Sequence, residues 1–391
     1  MKICIFGHSF LPRIGGMELV MHYLANSLVE LGHDVTIIAQ IVKSKKIRKT
    51  SLDLEVKYSL VRYGSYLPFS IRSGLNWLLG YLTFKREYKF KKFDIINCHG
   101  VSYGGLIMRF AKKLFNFPLV MTPHGEDIQR IPEINYGIRL NKKWDKRVKK
   151  NLMVAEAVTA ISDSIKQEID FLPQEKVFII PNGINLDEFV PKRSFRLHDD
   201  LGLNYNTKIV LSVGRNHVKK GYIYGIKAFK FLIDKYKIDN LVYVIVGRDV
   251  ENLFYLVSEM GLQNKVFLIP QKDRKTVLEY YRSAWCFFSP SIVEGLSMVS
   301  IEAMATGLPL VVTDVPGNLD IVRDNKCGII VKNKDPESMA KGIFDLYLNK
   351  ELYSKFSEIA RKQAKNYDWY NIAKKYLDVY QFAIEVCNSK K

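Results

Sequence analysis

The sequence predicts an α/β protein with two doubly wound parallel sheets, each with its own hydrophobic core. Short apolar, β-rich runs recur along the chain with amphipathic helical stretches between them, a pattern typical of parallel α/β layers. The 391 residues exceed the roughly 100 to 200 residues of one domain, which favours two or three domains. Turn residues in Pro181–Ser194 separate two series of such runs. We therefore predict a domain junction near residue 190.

Each series supplies the strands of one sheet. The first series predicts strands at Ile3–Phe6, Val35–Ala39, Ile95–Cys98, Leu119–Thr122, Val158–Ile161 and Val177–Ile180. The second predicts strands at Ile209–Val213, Val242–Val246, Val266–Ile269, Cys286–Ser289, Leu310–Thr313 and Gly328–Val331. A helix is expected over Met17–Leu31, where apolar residues recur at spacings of three and four before Gly32. An amphipathic helix over Tyr367–Ala383 is expected to end the chain.

Composition excludes several classes of protein. Hydrophobic residues make up 48% and charged residues 25%, the ordinary usage of folded globular chains. The five cysteines lie far apart without a CxxC pair, so no disulfide framework or zinc knuckle is indicated and a cytoplasmic setting is expected. The N-terminal apolar run is too short for a signal peptide, and no stretch reaches the roughly 18 apolar residues of a membrane span.

Positive charge is concentrated towards the N-terminus. The chain has 59 Lys and Arg against 40 Asp and Glu, a net charge of +19. Residues 1–150 hold 26 basic and 11 acidic residues, or +15 of that excess. Such a field attracts nucleic acid, anionic lipid or phosphorylated ligands, although solvated lysine-rich faces are an equally ordinary interpretation. The basic clusters are Lys43–Lys49, Lys85–Lys92 and Lys142–Lys150.

The segment Pro290–Asp314 carries the strongest functional signal. It is predicted as a loop, a helix over Met298–Thr306 with Ser297 as its N-cap and Gly307 as its stop, and a strand. The helix dipole and unpaired N–H groups at the helix start would bind a phosphate or diphosphate. The residues that would offer these groups are Leu296, Ser297, Met298 and Val299.

Two glutamates flank this predicted phosphate site. Glu294 falls in the loop and Glu302 on the helix, because Gly295 makes a common helix unfavourable. Carboxylates suit hydroxyl-rich ligands since each offers two acceptor oxygens. We expect one carboxylate to reach a sugar on the reacting side and the other to reach a ribose.

Further candidates end strands of the second series, where open parallel sheets bind ligands beyond the carboxyl ends of their strands. Gly214 and Arg215 follow one such strand, and Lys220 comes shortly after. An arginine fork and a lysine point charge can together neutralise a diphosphate. Gly247 and Ile269 end the next two strands.

The first series supplies candidates of its own. Gly15 and Gly16 stand directly before the first helix, where glycine lets the backbone approach a ligand closely. His124 and Asp127 belong to the run PHGED, which follows a strand. Without further information, a lone histidine at such a place is more often a structural hydrogen-bonding group.

The spacing of Glu294 and Glu302 resembles the E-x7-E motif of retaining glycosyltransferases of family 4, which have the GT-B fold of two facing Rossmann-like domains. The resemblance covers nearly the whole chain, with several motifs in the same order. It implies an acceptor-binding domain over 1–190 and a nucleotide-sugar-binding domain over 191–366. It also implies that the helical segment 367–391 crosses back to the N-terminal domain.

The resemblance implies a role for each candidate. His124 would contact the donor sugar, Arg215 and Lys220 the donor diphosphate, and backbone groups at Gly247 and Ile269 the base. The glycine pair would lie near the diphosphate and sugar, with Asp127 near the sugar or acceptor. Transfer on the front face, with a departing phosphate oxygen taking the acceptor's proton, would need neither a metal nor a cofactor beyond the nucleotide sugar. A UDP-sugar is the expected donor.

The implied acceptor is a glycan or a polyprenyl-diphosphate-linked sugar. Tyr63–Phe93 is rich in aromatic residues and overlaps the cluster that begins at Lys85. Amphipathic aromatic and basic segments lie in bilayer interfaces, so we expect a peripheral position on an anionic, cytoplasmic membrane face.

Three other interpretations remain open at this point. A GT-B nucleotide-sugar 2-epimerase would share both sheets but would need further acid and base groups. A nucleic-acid binder would use the charge, yet the basic clusters match no helix-turn-helix or RNA-platform signature. A non-catalytic scaffold would not need the charged motif residues that are present.

Two departures bear on donor specificity: Ser297 replaces a glycine frequent in the family, and Asp320 replaces a glutamate.

Overall fold

The computed structural model describes residues 1–13, 15–41, 54–64 and 69–390, which form two compact units. Unit 1 comprises Met1–Gly183 and Trp369–Lys391, and unit 2 comprises Ile184–Asp368. The boundary therefore falls after Gly183, a little before the junction predicted near residue 190. The basic cluster Lys43–Lys49 and residues 65–68 of the aromatic segment lie outside the described residues.

Unit 1 contains a parallel sheet of seven strands. These are β1 (Lys2–Gly7), β2 (Asp34–Gln40), β3 (Ser59–Tyr63), β4 (Ile95–His99), β5 (Leu119–Thr122), β6 (Ala157–Ala160) and β7 (Val177–Ile179). They lie in the order β3-β2-β1-β4-β5-β6-β7, with every neighbouring pair parallel. The direction of strand addition reverses between β1 and β4, so the loops after these strands form the switch point where such sheets bind ligands.

Unit 2 repeats this arrangement with six strands. These are β8 (Lys208–Val213), β9 (Leu241–Gly247), β10 (Val266–Pro270), β11 (Cys286–Ser289), β12 (Leu310–Thr313) and β13 (Gly328–Val331). Their order is β10-β9-β8-β11-β12-β13, again all parallel, with the switch point between β8 and β11. The predicted fold class, two doubly wound parallel sheets, is confirmed.

Helices connect the strands and cover the sheets. They are α1 (Gly16–Glu30), α2 (Phe69–Lys91), α3 (Tyr103–Leu114), α4 (Lys142–Leu152), α5 (Asp163–Gln167), α6 (Arg196–Leu201), α7 (Tyr222–Tyr236), α8 (Phe254–Glu259), α9 (Arg274–Ser283), α10 (Met298–Ala305), α11 (Pro316–Asn325), α12 (Pro336–Leu348), α13 (Lys350–Ala364) and α14 (Trp369–Asn388). None of these described helices combines the length and the hydropathy needed to cross a bilayer.

The last helix, α14, belongs to the core of unit 1. It packs against α1 and the sheet, and it buries Trp369, Tyr376 and Tyr380 among the strand residues of that unit. Helices on both faces explain why strands such as β4 and β9 are buried along their whole length.

One strand, β3, was missed by the sequence analysis. It pairs only with β2 at the edge of the unit 1 sheet, and Ser59 and Leu60 are exposed there. An edge strand needs no continuous apolar run, so the sequence of β3 lacks the signal that marked the central strands.

Candidate functional site

The loop after β8 begins with two glycine-dependent contacts. Gly214 has a φ of +149°, and its N–H donates to the Val246 carbonyl oxygen at 2.8 Å. Gly247, at the end of β9, lies directly against it, because an added Cβ would be 1.9 Å from the Gly214 carbonyl oxygen. Glycine at position 247 is therefore explained by the close approach of two strand ends.

Arg215 and Lys220 occupy different environments in the same loop. The Arg215 side chain is exposed, and no hydrogen bond or ion pair joins it to another part of the chain that the structure describes. The Lys220 side chain is only 14% exposed and donates to Glu294 Oε1 at 2.6 Å. Arg215 is thus available to a ligand, whereas Lys220 is already paired.

Glu294 lies in the loop after β11, as predicted, and is held there as a carboxylate. Ser291 Oγ also donates to Glu294 Oε1, at 2.9 Å. Burial alone would raise the pKa of Glu294, but the charges of Lys220 and Lys219 and these two hydrogen bonds outweigh it and lower the pKa. Both described hydrogen bonds use Oε1, so Oε2 carries the remaining accepting capacity.

Backbone contacts lock the loops after β8 and β11 together. The Lys219 carbonyl oxygen accepts hydrogen bonds from Ile292 N at 2.7 Å and Val293 N at 3.3 Å. Gly221 has a φ of +62°, and a Cβ there would lie 2.0 Å from the Pro290 carbonyl oxygen. The position of Glu294 therefore depends on glycine at position 221.

Helix α10 begins at Met298 with Ser297 at its N-cap position. The Ser297 hydroxyl does not cap the helix; it accepts a hydrogen bond from Ser300 Oγ at 2.7 Å. Within the described residues, no protein acceptor pairs with the four backbone N–H groups directly before Ser300. These groups belong to Leu296, Ser297, Met298 and Val299. They form the positive end of the helix dipole, as the sequence analysis expected of this segment.

Glu302 lies one turn into α10 and is part of a buried polar network. Tyr281 Oη donates to Glu302 Oε2 at 2.9 Å, and Arg274 Nη1 lies 3.5 Å from Glu302 Oε1. Arg274 Nε in turn donates to Glu188 Oε1 at 2.7 Å, and its guanidinium stacks over the Phe189 ring. Burial raises the pKa of Glu302, against the opposing effects of Arg274 and Tyr281.

A small hollow, partly open to solvent, lies among these loops of unit 2. Lys220, Ser291 and Val299 line it, so the end of β11 and the start of α10 share one space. Ile269 does not line this hollow; it is buried in the edge strand β10.

In unit 1, Gly15 is the N-cap residue of α1 and Gly16 is the first residue of that helix. A Cβ on Gly15 would lie 2.5 Å from Glu18 Oε2, whereas a Cβ on Gly16 would meet nothing within 4 Å. The buried Glu18 carboxylate also accepts a hydrogen bond from Ser9 Oγ at 2.6 Å. A side chain at position 15 would therefore displace the Glu18 carboxylate, while nothing in the described structure requires glycine at position 16.

His124 and Asp127 lie in the loop after β5, and Asp127 has a clear structural role. Its carboxylate accepts the backbone N–H of His124 at 2.8 Å and that of Val101 at 2.9 Å. It thereby joins the loops after β4 and β5. The His124 ring lies against His99, with His124 Nε2 and His99 Nδ1 2.9 Å apart.

Several residues of these networks were not predicted. In unit 2 they are Glu188, Arg274 and Tyr281, and in unit 1 they are Ser9, Glu18 and His99. His8, which is close enough to Asp127 and Glu18 for their charges to affect its pKa, was not predicted either. His8 and His99 do carry a usable signal, because they stand at the ends of β1 and β4 beside the switch point. The unit 2 residues carry none that is local in sequence.

The segments with the two family departures border the Glu294 loop. A Cβ on Gly317 would be 2.5 Å from the Glu294 carbonyl oxygen, so the start of α11 lies against this loop. The next residue, Asn318, is fully buried and donates to the Thr313 carbonyl oxygen at 3.2 Å. Ser297, 1% exposed, follows Glu294 closely in the sequence.

Within the described residues, no three His, Cys, Asp or Glu side chains cluster as metal ligands.

Two family models match the chain, one for each sheet. A model described as Glycosyltransferase Family 4 matches residues 14–188, and a model described as Glycosyl transferases group 1 matches residues 194–363. The two matched stretches together span most of the chain.

Individual proteins are similar over much of the chain. An uncharacterized glycosyltransferase of Methanocaldococcus jannaschii is 29% identical over 406 aligned residues, which cover 99% of each chain. The Escherichia coli enzyme UDP-Gal:alpha-D-GlcNAc-diphosphoundecaprenol alpha-1,3-galactosyltransferase is 26% identical over 265 residues, 65% of this chain and 66% of that enzyme. The structure of Anabaena HepE in complex with UDP-glucose has a TM-score of 0.74 at 17% identity, with 100% of both chains covered.

Proposed function

This chain belongs to the family 4 glycosyltransferases of GT-B fold, and from that premise we propose that it transfers a sugar, with retention, from a UDP-sugar to a glycan or lipid-linked glycan. The observation that carries the proposal is the start of α10. Four unpaired N–H groups lie at the helix start there, beside the buried pair of Lys220 and Glu294.

The donor diphosphate is the group that these features suit. Free N–H groups at a helix start and the exposed Arg215 guanidinium both favour a doubly charged anion. Lys220, which lines a small hollow together with Val299 of the helix start, adds a third positive group. Together they would stabilise the diphosphate as it leaves, and fixed charges of this kind commonly contribute more to rate enhancement than any other effect.

The two glutamates would then divide the donor between them. Glu294, held ionised by Lys220, has Oε2 to offer to a hydroxyl of the transferred sugar. Glu302 would accept from the ribose, since each of its oxygens takes only one described hydrogen bond and can accept another. The backbone ends at Gly247 and Ile269 would frame the base.

In unit 1 we assign the contact with the donor sugar to His124, with Gly16 allowing close backbone approach. Asp127 would act by fixing the backbone of His124 and not by direct contact.

The mechanism we infer is front-face transfer, in which the leaving phosphate oxygen takes the acceptor's proton and the positive groups of unit 2 replace a metal.

The names of two similar proteins support the choice of substrates. UDP-glucose is the ligand named for Anabaena HepE, and UDP-galactose and a lipid-linked diphosphate sugar appear in the name of the Escherichia coli relative. We infer a UDP-sugar donor and a polyprenyl-diphosphate-linked acceptor for this chain by the same chemistry.

A lipid-linked acceptor would bring the enzyme to an anionic membrane face at the cytoplasmic side. Helix α2 supports this inference, because one of its faces is both apolar and basic. Leu78, Leu82, Arg86 and Lys89 follow one another at spacings of four, four and three, and Phe90 beside them is 84% exposed. Apolar side chains surrounded by basic groups suit the boundary of a bilayer that carries negative headgroups.

Incubation of UDP-sugars with and without lipid-linked acceptors tests the proposal. We expect release of UDP and formation of an α-linked product only when donor and acceptor are both present. Conversion of the donor sugar to its 2-epimer without an acceptor would instead support the epimerase interpretation. A β-linked product from an α-linked donor would contradict retention.

A further inference from the structure

We propose that His99 is a positioning residue that holds the neutral His124 ring as the tautomer with hydrogen on Nδ1, so that His124 presents a hydrogen-bond donor to its ligand. The ligand is taken to be the hydroxyl-bearing donor sugar, and in that respect the inference rests on the proposed function. The tautomer itself is a property of the free protein.

The two rings form a pair at the carboxyl end of the unit 1 sheet, with His8 close enough to affect the pKa of His124. His99 ends β4 and is fully buried, and His124 follows β5 and is half-buried. Their rings stack with centroids 5.1 Å apart, while His99 Nδ1 and His124 Nε2 are 2.9 Å apart. The Tyr376 ring of α14 stacks on His99 at 6.5 Å.

Both rings are neutral near pH 7. Burial lowers the pKa of His99 well below its ordinary value, and the neighbouring His124 lowers it further. Burial also lowers the pKa of His124, and the carboxylates of Asp127 and Glu18 oppose that effect without reversing it. Each ring therefore carries one N–H, and one of the two hydrogens must lie between His99 Nδ1 and His124 Nε2.

The environment of His99 Nε2 decides which ring donates. This nitrogen is buried and has no hydrogen-bond partner in the described residues. If His124 donated, His99 would have to carry its hydrogen on Nε2, as a buried N–H without an acceptor. If His99 donates through Nδ1, Nε2 is a buried nitrogen without a hydrogen, and buried N–H groups that lack an acceptor are rare in proteins.

The choice at His99 fixes the chemistry that His124 offers. When His124 Nε2 accepts from His99, the hydrogen of the neutral His124 ring lies on Nδ1. His124 Nδ1 has no described protein partner. Solvent or a ligand can form a hydrogen bond with it in either tautomer. Nδ1 therefore favours neither tautomer, and the environment of His99 decides between them. His124 thus donates to a hydroxyl oxygen and does not act as a base.

Histidine-selective nitrogen NMR on the ligand-free protein tests the tautomer directly. The chain has seven histidines, and the His124 resonances can be assigned by their loss in His124→Asn. Two-bond couplings from the ring protons separate a protonated Nδ1 from a protonated Nε2. We expect a protonated Nδ1 for His124 in the wild type, and a protonated Nε2 would overturn the inference.

A pair of variants tests whether His99 is the cause. His99→Phe keeps a ring but removes both nitrogens, so we expect the hydrogen of His124 to spread over both nitrogens. His22→Phe is the matched control, because His22 is also buried in unit 1 and bonds to Tyr58 at 2.8 Å, away from His124. An unchanged His124 tautomer in folded His99→Phe would overturn the positioning role. If His99→Phe does not fold, the wild-type spectrum still decides.

Kinetics then connects the tautomer with the donor sugar. We expect His99→Phe to lower kcat/KM for the intact donor about tenfold while the affinity for UDP, which lacks the sugar, stays unchanged. Equal losses for UDP and the intact donor would contradict a role acting through His124. If His99→Phe alters the His124 tautomer but keeps full activity, the sugar contact proposed for His124 is contradicted and the tautomer assignment stands. Failure of the proposed function and failure of the tautomer assignment can therefore be told apart.

Discussion

At the scale of single residues, Arg215 and Lys220 differ in how the folded protein uses them. Arg215 is exposed and has no described partner, whereas Lys220 compensates the charge of the buried Glu294. Removal of one member of a buried pair leaves an uncompensated charge and commonly costs about 3 to 5 kcal/mol. The same substitution at the two positions should therefore have different consequences.

We predict that Arg215→Ala lowers turnover at least tenfold with an unchanged Tm, because it removes only a ligand contact. Lys220→Ala should lower turnover and also lower the free energy of unfolding by about 3 to 5 kcal/mol. Thermal unfolding and steady-state kinetics on both variants check this. A stable Lys220→Ala protein would mean that the pair with Glu294 does not form.

The second residue-scale prediction concerns Glu302 and pH. Its pKa is raised by burial, and in the proposed site the ionised carboxylate would accept hydrogen bonds from a ribose more strongly than the protonated acid. As the pH is lowered, donor affinity should therefore begin to fall at a higher pH than it would if Glu302 had the pKa of an ordinary glutamate. Because Arg274 opposes the rise in pKa, Arg274→Gln should move this fall to still higher pH. Donor KM measured against pH checks both expectations.

The raised pKa of Glu302 also sets the sign of its effect on stability. A carboxyl group whose pKa is raised on folding binds its proton more tightly in the folded state, so its burial cost is present above that pKa and is relieved below it. Arg274→Gln should therefore destabilise the protein more at neutral than at acidic pH. For the pH dependence of donor KM, Arg282→Gln on the same helix is the control, since Arg282 pairs with Glu279 and not with Glu302. A pH profile shifted equally by both variants would contradict the account.

At the scale of elements, the junction between two loops of unit 2 depends on one glycine. Gly221 and Gly202 have the same φ of +62°, but only Gly221 is crowded, with a Cβ position 2.0 Å from the Pro290 carbonyl oxygen. Gly202→Ala should cost only the roughly 1 to 2 kcal/mol of the left-handed conformation. Gly221→Ala should cost more and should also weaken donor binding, because displacement of Pro290 moves the loop that carries Glu294.

Unfolding free energies and UDP affinities of these two alanine variants measure the difference. The control, Gly202→Ala, should bind UDP like the wild type. If the two variants lost the same stability and both kept full UDP affinity, the loop would not depend on the close contact at Gly221.

The elements show how far the sequence could lead. Central strands such as β4 and β9 are predictable because a strand covered on both faces needs a continuous apolar run. Glu294 and Lys220 could be identified from local motifs, but their ion pair joins loops 74 residues apart. The partners of Glu302 could not be identified, since Arg274 reaches it only through the packing of α9 against the loop that carries Glu188.

At the scale of the whole molecule, the net charge of +19 favours a membrane surface most where apolar side chains accompany the basic ones. The α2 face with Leu78, Leu82 and Phe90 is such a place. We predict that the protein floats with phosphatidylglycerol vesicles at low salt but not with phosphatidylcholine vesicles, and that Phe90→Ser reduces flotation several-fold.

The control for this surface is Tyr255→Ser. Tyr255 is 83% exposed and Phe90 is 84% exposed, so the two substitutions remove similar areas from different units. Equal flotation of both variants, or wild-type binding that ignores lipid charge, would contradict membrane docking through α2.

The most direct test of the central claim is calorimetric titration of UDP and UMP into the wild type and Arg215→Ala. If unit 2 holds a donor diphosphate, the wild type should bind UDP about tenfold or more tightly than UMP, since hydrogen bonds to a charged group are worth about 1.5 to 3 kcal/mol. Arg215→Ala should remove most of that difference and leave UMP binding unchanged. Equal affinities of the wild type for UDP and UMP would contradict the account.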